Sequence, residues 1–146
     1  MDQLERNKEL LRHAWAAYDN GNEAAFRAGF TDDWKEYDSD GGLQSMEQVV
    51  GSMRRQRSAF PDTHTVIEQI VAEGDLVATR STTTATHSGK YFDLELTNRA
   101  VQSHHMLFNR IRDGKIAETW VETRSLGFYK QLTGRDAPRG DADSMA

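Results

Sequence analysis

A chain of 146 residues with net charge −5, 28% charged and 37% hydrophobic residues has the composition of one ordinary soluble domain, long enough to bury most of its apolar surface in one core. The acidic balance excludes a general nucleic-acid binder, because phosphate neutralisation needs a basic surface, and no apolar run approaches the roughly 18 residues of a membrane span. The absence of cysteine excludes disulfides and thiolate metal sites, and MDQLERNKEL carries no signal-peptide core, so the expected compartment is the cytoplasm.

In chain order, Leu4, Leu11, Trp15 and Tyr18 recur at near-helical spacing before a stop at Gly21, which predicts a first helix. A short second helix is expected over about Glu23 to Phe30, then a polar turn at Thr31-Asp32-Asp33, a short strand containing Trp34 and Tyr37, and a loop from Asp38 to Gly42. Ser45 and Gln48 form a capping box for a third helix that runs to about Ala59 and that Pro61 cannot prolong. Its apolar side is Met46, Val49, Val50, Met53 and Phe60, which leaves Arg54, Arg55 and Arg57 as a solvated face.

Beyond Pro61 the pattern is β. Thr63 to Ala72, Asp75 to Ala85, Tyr91 to Leu96, Arg99 to Arg112 and Lys115 to Arg124 read as strands separated by turn residues. Helices first and strands after give an α+β class, with a curved antiparallel sheet wrapped around the N-terminal helices as a cone with an internal pocket. Residues 1–132 form one domain in this reading, and 133–146, poor in apolar residues, form a flexible tail.

Asp113-Gly114 suits a type I′ turn, whose central residues both need positive φ. Period-2 alternation after it places Glu118, Trp120, Glu122 and Arg124 on one strand face, an aromatic among three ionisable groups. Counted back from a regular two-residue turn, Ile111 pairs with Ile116, Leu107 with Trp120, His105 with Glu122 and Ser103 with Arg124. A carboxylate beside a histidine stabilises its protonated form and orients the ring, so His105 and Glu122 read as an acid/base pair, or equally as an ion pair of the sheet surface. A bulge of one residue would instead bring His104 toward Arg124; the regular register, with its Ile111–Ile116 pair, favours His105.

The order of FPD, EGD, THSG, TNR, RDGKIAETW and a closing QL resembles the SnoaL-like polyketide cyclases, which have the cone-shaped fold of nuclear transport factor and ketosteroid isomerase. The resemblance spans about Leu10 to Leu132 and implies a homodimer, a hydrophobic small-molecule substrate, and intramolecular aldol closure without metal or organic cofactor. In such cyclases an aspartate of the last strand and a histidine of the preceding one share the proton transfer. An ungapped alignment places that aspartate at Val121 or Arg124 and the histidine at Leu107 or Arg110, so the dyad is absent from the aligned positions. Tyr18 matches a pocket tyrosine of the first helix, and Glu36 falls where cyclases can carry an asparagine.

His105, Glu122, Arg124 and Glu36 are therefore the candidate catalytic residues, with Tyr18, Trp34, His104, Leu107, Glu118 and Trp120 as substrate contacts. A metal is not expected: His104 and His105 point to opposite faces of a strand, and no HxH or HxxxH spacing occurs. Three functions follow: acid/base chemistry on a carbonyl-bearing polyketide-like compound, a changed reaction such as hydroxylation or epoxide opening, or a binding protein without turnover.

Overall fold

The computed structural model describes residues 1–123 and 125–135. Its elements are α1 (Gln3–Asn20), α2 (Glu23–Ala28), β1 (Phe30–Tyr37), β2 (Leu43–Gln44), α3 (Met46–Ala59), β3 (His64–Glu73), β4 (Leu76–Thr86), β5 (Ala100–Arg112), β6 (Lys115–Thr123) and α4 (Ser125–Thr133). The expected end signals are present. Asp2 caps α1, accepting from the Glu5 amide at 2.9 Å, and Gly21 closes it with φ 65°. Ser45 and Gln48 form the reciprocal capping box of α3. Asp113 and Gly114 both take positive φ, 52° and 73°, as a type I′ turn requires.

The six strands form one curved sheet in the order β2-β1-β6-β5-β4-β3. Every neighbouring pair is antiparallel except β1 and β6, which run parallel. The sheet is thus mixed rather than antiparallel throughout; β1 joins β6 across more than half the chain, so no hairpin sets its direction. Leu11, Ala14 and Ala17 of α1, Val50 and Met53 of α3, and Phe26, Phe30 and Trp34 bury themselves against Val77, Ile111 and Ile116 of the sheet. Burial of this apolar face is the main stabilising term, since there is no covalent cross-link.

Several expected boundaries are corrected. Phe30 to Asp33 is the start of β1, not the end of a helix and a turn, because Ile116 N–H donates to the Gly29 carbonyl (2.9 Å) and draws this segment into the sheet beside β6. Tyr91 to Leu96 is not a strand. Tyr91 and Leu94 exchange backbone hydrogen bonds as an isolated bridge around Phe92, whose φ of 51° breaks extension. A fourth helix, α4, not expected from the sequence, follows the expected last strand and takes in the first residue of the expected tail, Thr133. Its Leu132 and Phe128, one turn apart, pack on Phe60 and Val101. The Gln131 side-chain amide accepts from Gln102 N–H (2.6 Å) and donates to Gln102 C=O (2.7 Å), taking the place of a strand beyond the end of β6. Gly134, at φ 69°, donates to the Lys130 carbonyl and ends the helix. The remainder of the expected tail, 136–146, lies outside the described residues.

Candidate functional site

Between the helices and the concave face of the sheet lies a cavity of about 540 Å³. Trp15 and Tyr18 of α1, Trp34 and Glu36 of β1, alternate residues of β5 and β6, and Phe128 of α4 line it. Which alternate residues of β6 face inward is decided by one irregularity. Arg110 pairs with Glu118 and Ile111 with Ile116, so Ala117 has no partner and forms a β-bulge. Both Ile116 and Ala117 are buried, and alternation restarts one residue later.

The bulge corrects the expected register. His105 pairs with Thr123 rather than Glu122, and Phe108 rather than Leu107 pairs with Trp120. Glu122 is exposed opposite Met106, Trp120 stacks on Tyr37 at 5.5 Å, and Glu118 accepts from Arg110 at 3.3 Å; none of the three lines the cavity. His104, on the same convex face, lies 3.4 Å from the Thr82 hydroxyl and is likewise not a lining residue. Arg124 lies outside the described residues. The cavity does receive His105, Glu36, Tyr18, Trp34 and Leu107. Leu107, one of the two positions at which the cyclase resemblance would put the histidine, and Val121, one of the two for the aspartate, are register partners and both line it.

His105 is held from two sides, with Nε2 3.0 Å from the Ser103 hydroxyl and Nδ1 3.2 Å from that of Thr123, and its ring rests 5.6 Å from Trp15. Burial, reinforced by His104, pushes its pKa down to about 4 and keeps the imidazole neutral near pH 7. Glu36 is half-buried and has no hydrogen-bond partner among the described residues. Burial first, then the negative Asp38, pushes its carboxyl up to about 7. Tyr18 also has no partner for its hydroxyl; its ionisation is raised by burial and then by the charge of Glu36 nearby. Asp38 is held low, chiefly by the Gly42 N–H at 2.8 Å, with Gln44 and the Asp40 N–H also donating to it.

A carboxyl with a folded-state pKa above its unfolded value binds its proton more tightly in the native protein, so stability falls as pH rises between about 4.5 and about 7. Glu36→Gln is therefore expected to be more stable than wild type at pH 8, by about 2–3 kcal/mol, and indistinguishable from it at pH 4. Urea unfolding at the two pH values measures this. Equal stabilities at pH 8 would mean that Glu36 is solvated.

Three lining features escaped the sequence reading. Trp34 Nε1 donates to Thr119 Oγ1 (3.0 Å), which donates to Asn109 Oδ1 (2.8 Å), a buried chain across β1, β6 and β5 that the regular register would have broken. Ser39 Oγ donates to Val121 O (3.1 Å) and accepts from Thr123 N–H (3.2 Å), fixing the Asp38 loop beside β6. Tyr91 and Phe128 enter from the irregular loop and α4, and only their aromatic character was visible beforehand. Among the described residues no three His, Asp or Glu side chains converge as metal ligands do, and no helix is long and apolar enough to cross a membrane.

Comparison with known proteins follows the same lines. A family model described as SnoaL-like polyketide cyclase matches residues 8–132. Among solved structures, the chain is similar to AclR, a candidate hydroxylase from Streptomyces galilaeus, at 26% identity and TM-score 0.84, over 98% of this chain and 89% of that one. IdmH, a candidate polyketide cyclase from Streptomyces antibioticus, is 24% identical with TM-score 0.77, over 86% and 97% of the two chains. TsrD from Streptomyces laurentii is 22% identical with TM-score 0.79, over 92% and 99%. No curated protein matches the sequence.

Proposed function

The chain belongs to the SnoaL-like polyketide cyclase family, and from that membership we propose that it is a cofactor-independent acid/base enzyme acting on a hydrophobic, carbonyl-bearing polyketide-like compound in the cytoplasm. The observation that carries this reading is Glu36: a carboxyl lining the cavity, without a hydrogen-bond partner among the described residues, poised near pH 7 and acting on the nearby Tyr18 hydroxyl. Glu36 takes a proton from the carbon α to a substrate carbonyl, and the Tyr18 O–H donates to the enolate oxygen that forms. The enolate carbon attacks a second carbonyl carbon of the same molecule, and the resulting alkoxide recovers the proton from Glu36, so closure changes no atom count. Neutral His105, with both ring nitrogens held by Ser103 and Thr123, orients the substrate as a fixed, uncharged part of the cavity wall.

Ring closure of an open-chain diketone ester, monitored against its spontaneous rate, tests the proposal; absence of any acceleration overturns it. One observation favours a second reading, in which the enolate carbon attacks dioxygen to give a hydroperoxide. Leu107 and Val121 face one another at one of the two alignments by which the cyclase resemblance would seat the dyad, and AclR, described as a candidate hydroxylase, is 26% identical over 98% of this chain. Label from ¹⁸O₂ in the product identifies that reaction, and unlabelled product excludes it.

A homodimer is proposed through the convex face of the sheet. Tyr37, Trp120 and Phe108 form a register row across β1, β6 and β5, with Met106 beside it, and Phe108 and Met106 are each 55% exposed. Trp120→Glu is expected to turn a dimer into a monomer in light scattering without loss of helical signal. A wild type that runs as a monomer removes the proposal.

A further inference from the structure

The described residues that line the cavity carry one sign of charge. Asp19, Glu36, Asp38 and Asp40 line it, and among the described lining residues there is no lysine or arginine. Of the arginines of α3, Arg54 pairs with Glu23, Arg55 stands over the Phe92 ring at 4.5 Å, and Arg57 bonds the Asp19 carbonyl at 2.6 Å and acts on the Asp19 carboxyl, so Glu36 and Asp38 are lining carboxylates on which no described cation acts. His105 supplies no positive charge near neutral pH. Asp38 is pinned as an anion by the N–H groups of its own loop, whereas Glu36 and the Tyr18 hydroxyl have no hydrogen-bond partner among the described residues. The rings of Trp15, Phe60, Tyr91 and Phe128 line the same cavity.

Carboxylates unbalanced by cations, set among aromatic faces, make the environment that stabilises an organic ammonium and repels an organic carboxylate. Resting on the reading of this cavity as a substrate site, we infer that its ligand carries a protonated amine, seated between Glu36, Asp38 and the aromatic wall, in addition to the carbonyl group on which the chemistry acts. The amine supplies the hydrogen-bond donor that Glu36 lacks among the described residues, while a carboxylate at the same place would be repelled by the negative Asp38. Selectivity for charge is thereby built into the site independently of which bond the reaction forms.

Three probes with one ring system separate these contributions: naphthylmethylamine, naphthylmethanol and naphthoate, titrated at pH 7.5 into the full chain by NMR shift perturbation. The amine is expected to bind at least about tenfold more tightly than the alcohol, with naphthoate weakest. Glu36→Gln and Asp38→Asn should each narrow the gap between amine and alcohol by about threefold or more while leaving the dissociation constant of the alcohol unchanged, which also reports an intact cavity. Naphthoate binding as tightly as the amine, or a gap that both variants preserve, overturns the inference. Alcohol binding without any preference for the amine removes the charge selectivity alone; failure of all three probes to bind removes the reading of the cavity as a ligand site and the inference with it.

Discussion

Glu36→Gln is expected to lower kcat/KM by about 10²–10⁴-fold, the usual contribution of a positioned general base, while the protein remains folded. The amide is nearly the same size and can still accept a hydrogen bond, so the substitution removes the proton acceptor and little else. Because wild-type Glu36 loses its proton near pH 7, wild-type kcat/KM should rise with pH through about 7 and then level, and that rise should vanish in the residual activity of the variant. Glu36→Asp retains the charge but withdraws it by one methylene, and is expected to recover part of the rate. The measurement is turnover of a cyclisable diketone ester from pH 5 to 9 for the three proteins. Wild-type rates in Glu36→Gln would sink the assignment, whatever the pH profile of the native enzyme.

Insertion of one alanine directly after Ala117 should be the most damaging single change to the fold. Ile116 pairs with Ile111 and Glu118 with Arg110 around one unpaired residue, and a second extra residue leaves two outcomes open to the strand. If one residue stays unpaired, the new alanine takes the place of Glu118 and residues 118–123 exchange faces, driving Glu118, Trp120 and Glu122 into the cavity and the buried Thr119 out of it. If the faces are kept, two residues must bulge opposite one, which disrupts the packing of the buried Ile116 and Ala117. The first route breaks the Trp34–Thr119–Asn109 chain and the second opens part of the core, so a loss of at least about 4 kcal/mol, or a fall in Tm on the order of 10 °C, is expected. Thermal unfolding measures it. Deletion of Ala117 serves as the contrast: Glu118 then follows Ile116 in plain alternation with its present partner and face, so the loss should be well below that of the insertion. An insertion variant that melts within a few degrees of wild type would show that the bulge does not set the register.

That bulge is also why the site was only partly legible beforehand. Reading outward from the turn, strict alternation gives Glu118, Trp120 and Glu122 the face of Ile116, yet Ile116 and Ala117 are both buried and the strand changes phase between them. Two consecutive apolar residues were the local sign of an irregularity, but such a pair also occurs in regular strands buried on both faces, so the sign does not discriminate. Glu36, Tyr18 and Trp34 needed no register across β5 and β6 to be found. They lie on α1 and β1, outside the hairpin whose phase the bulge changes, and the cyclase resemblance pointed to two of them. Likewise α4 was hidden because Phe128 and Leu132 alone mark a helical face, in a segment that continues a strand without a break in polarity.

The chain's own local chemistry determined the helix caps, the type I′ turn, the α+β order and, through a series of short motifs, the family. These depend on backbone conformations that neighbouring residues choose for themselves, at energies of about a kcal/mol each. Only the tertiary structure decided which face of β6 looks inward, that β1 runs parallel to β6, and that Glu36 lies unpartnered inside the cavity instead of in solvent. Those choices are made by packing between distant segments: one extra residue in a ladder exchanges every side chain beyond it between core and water, and a carboxyl takes its proton affinity from what surrounds it, not from its neighbours in sequence.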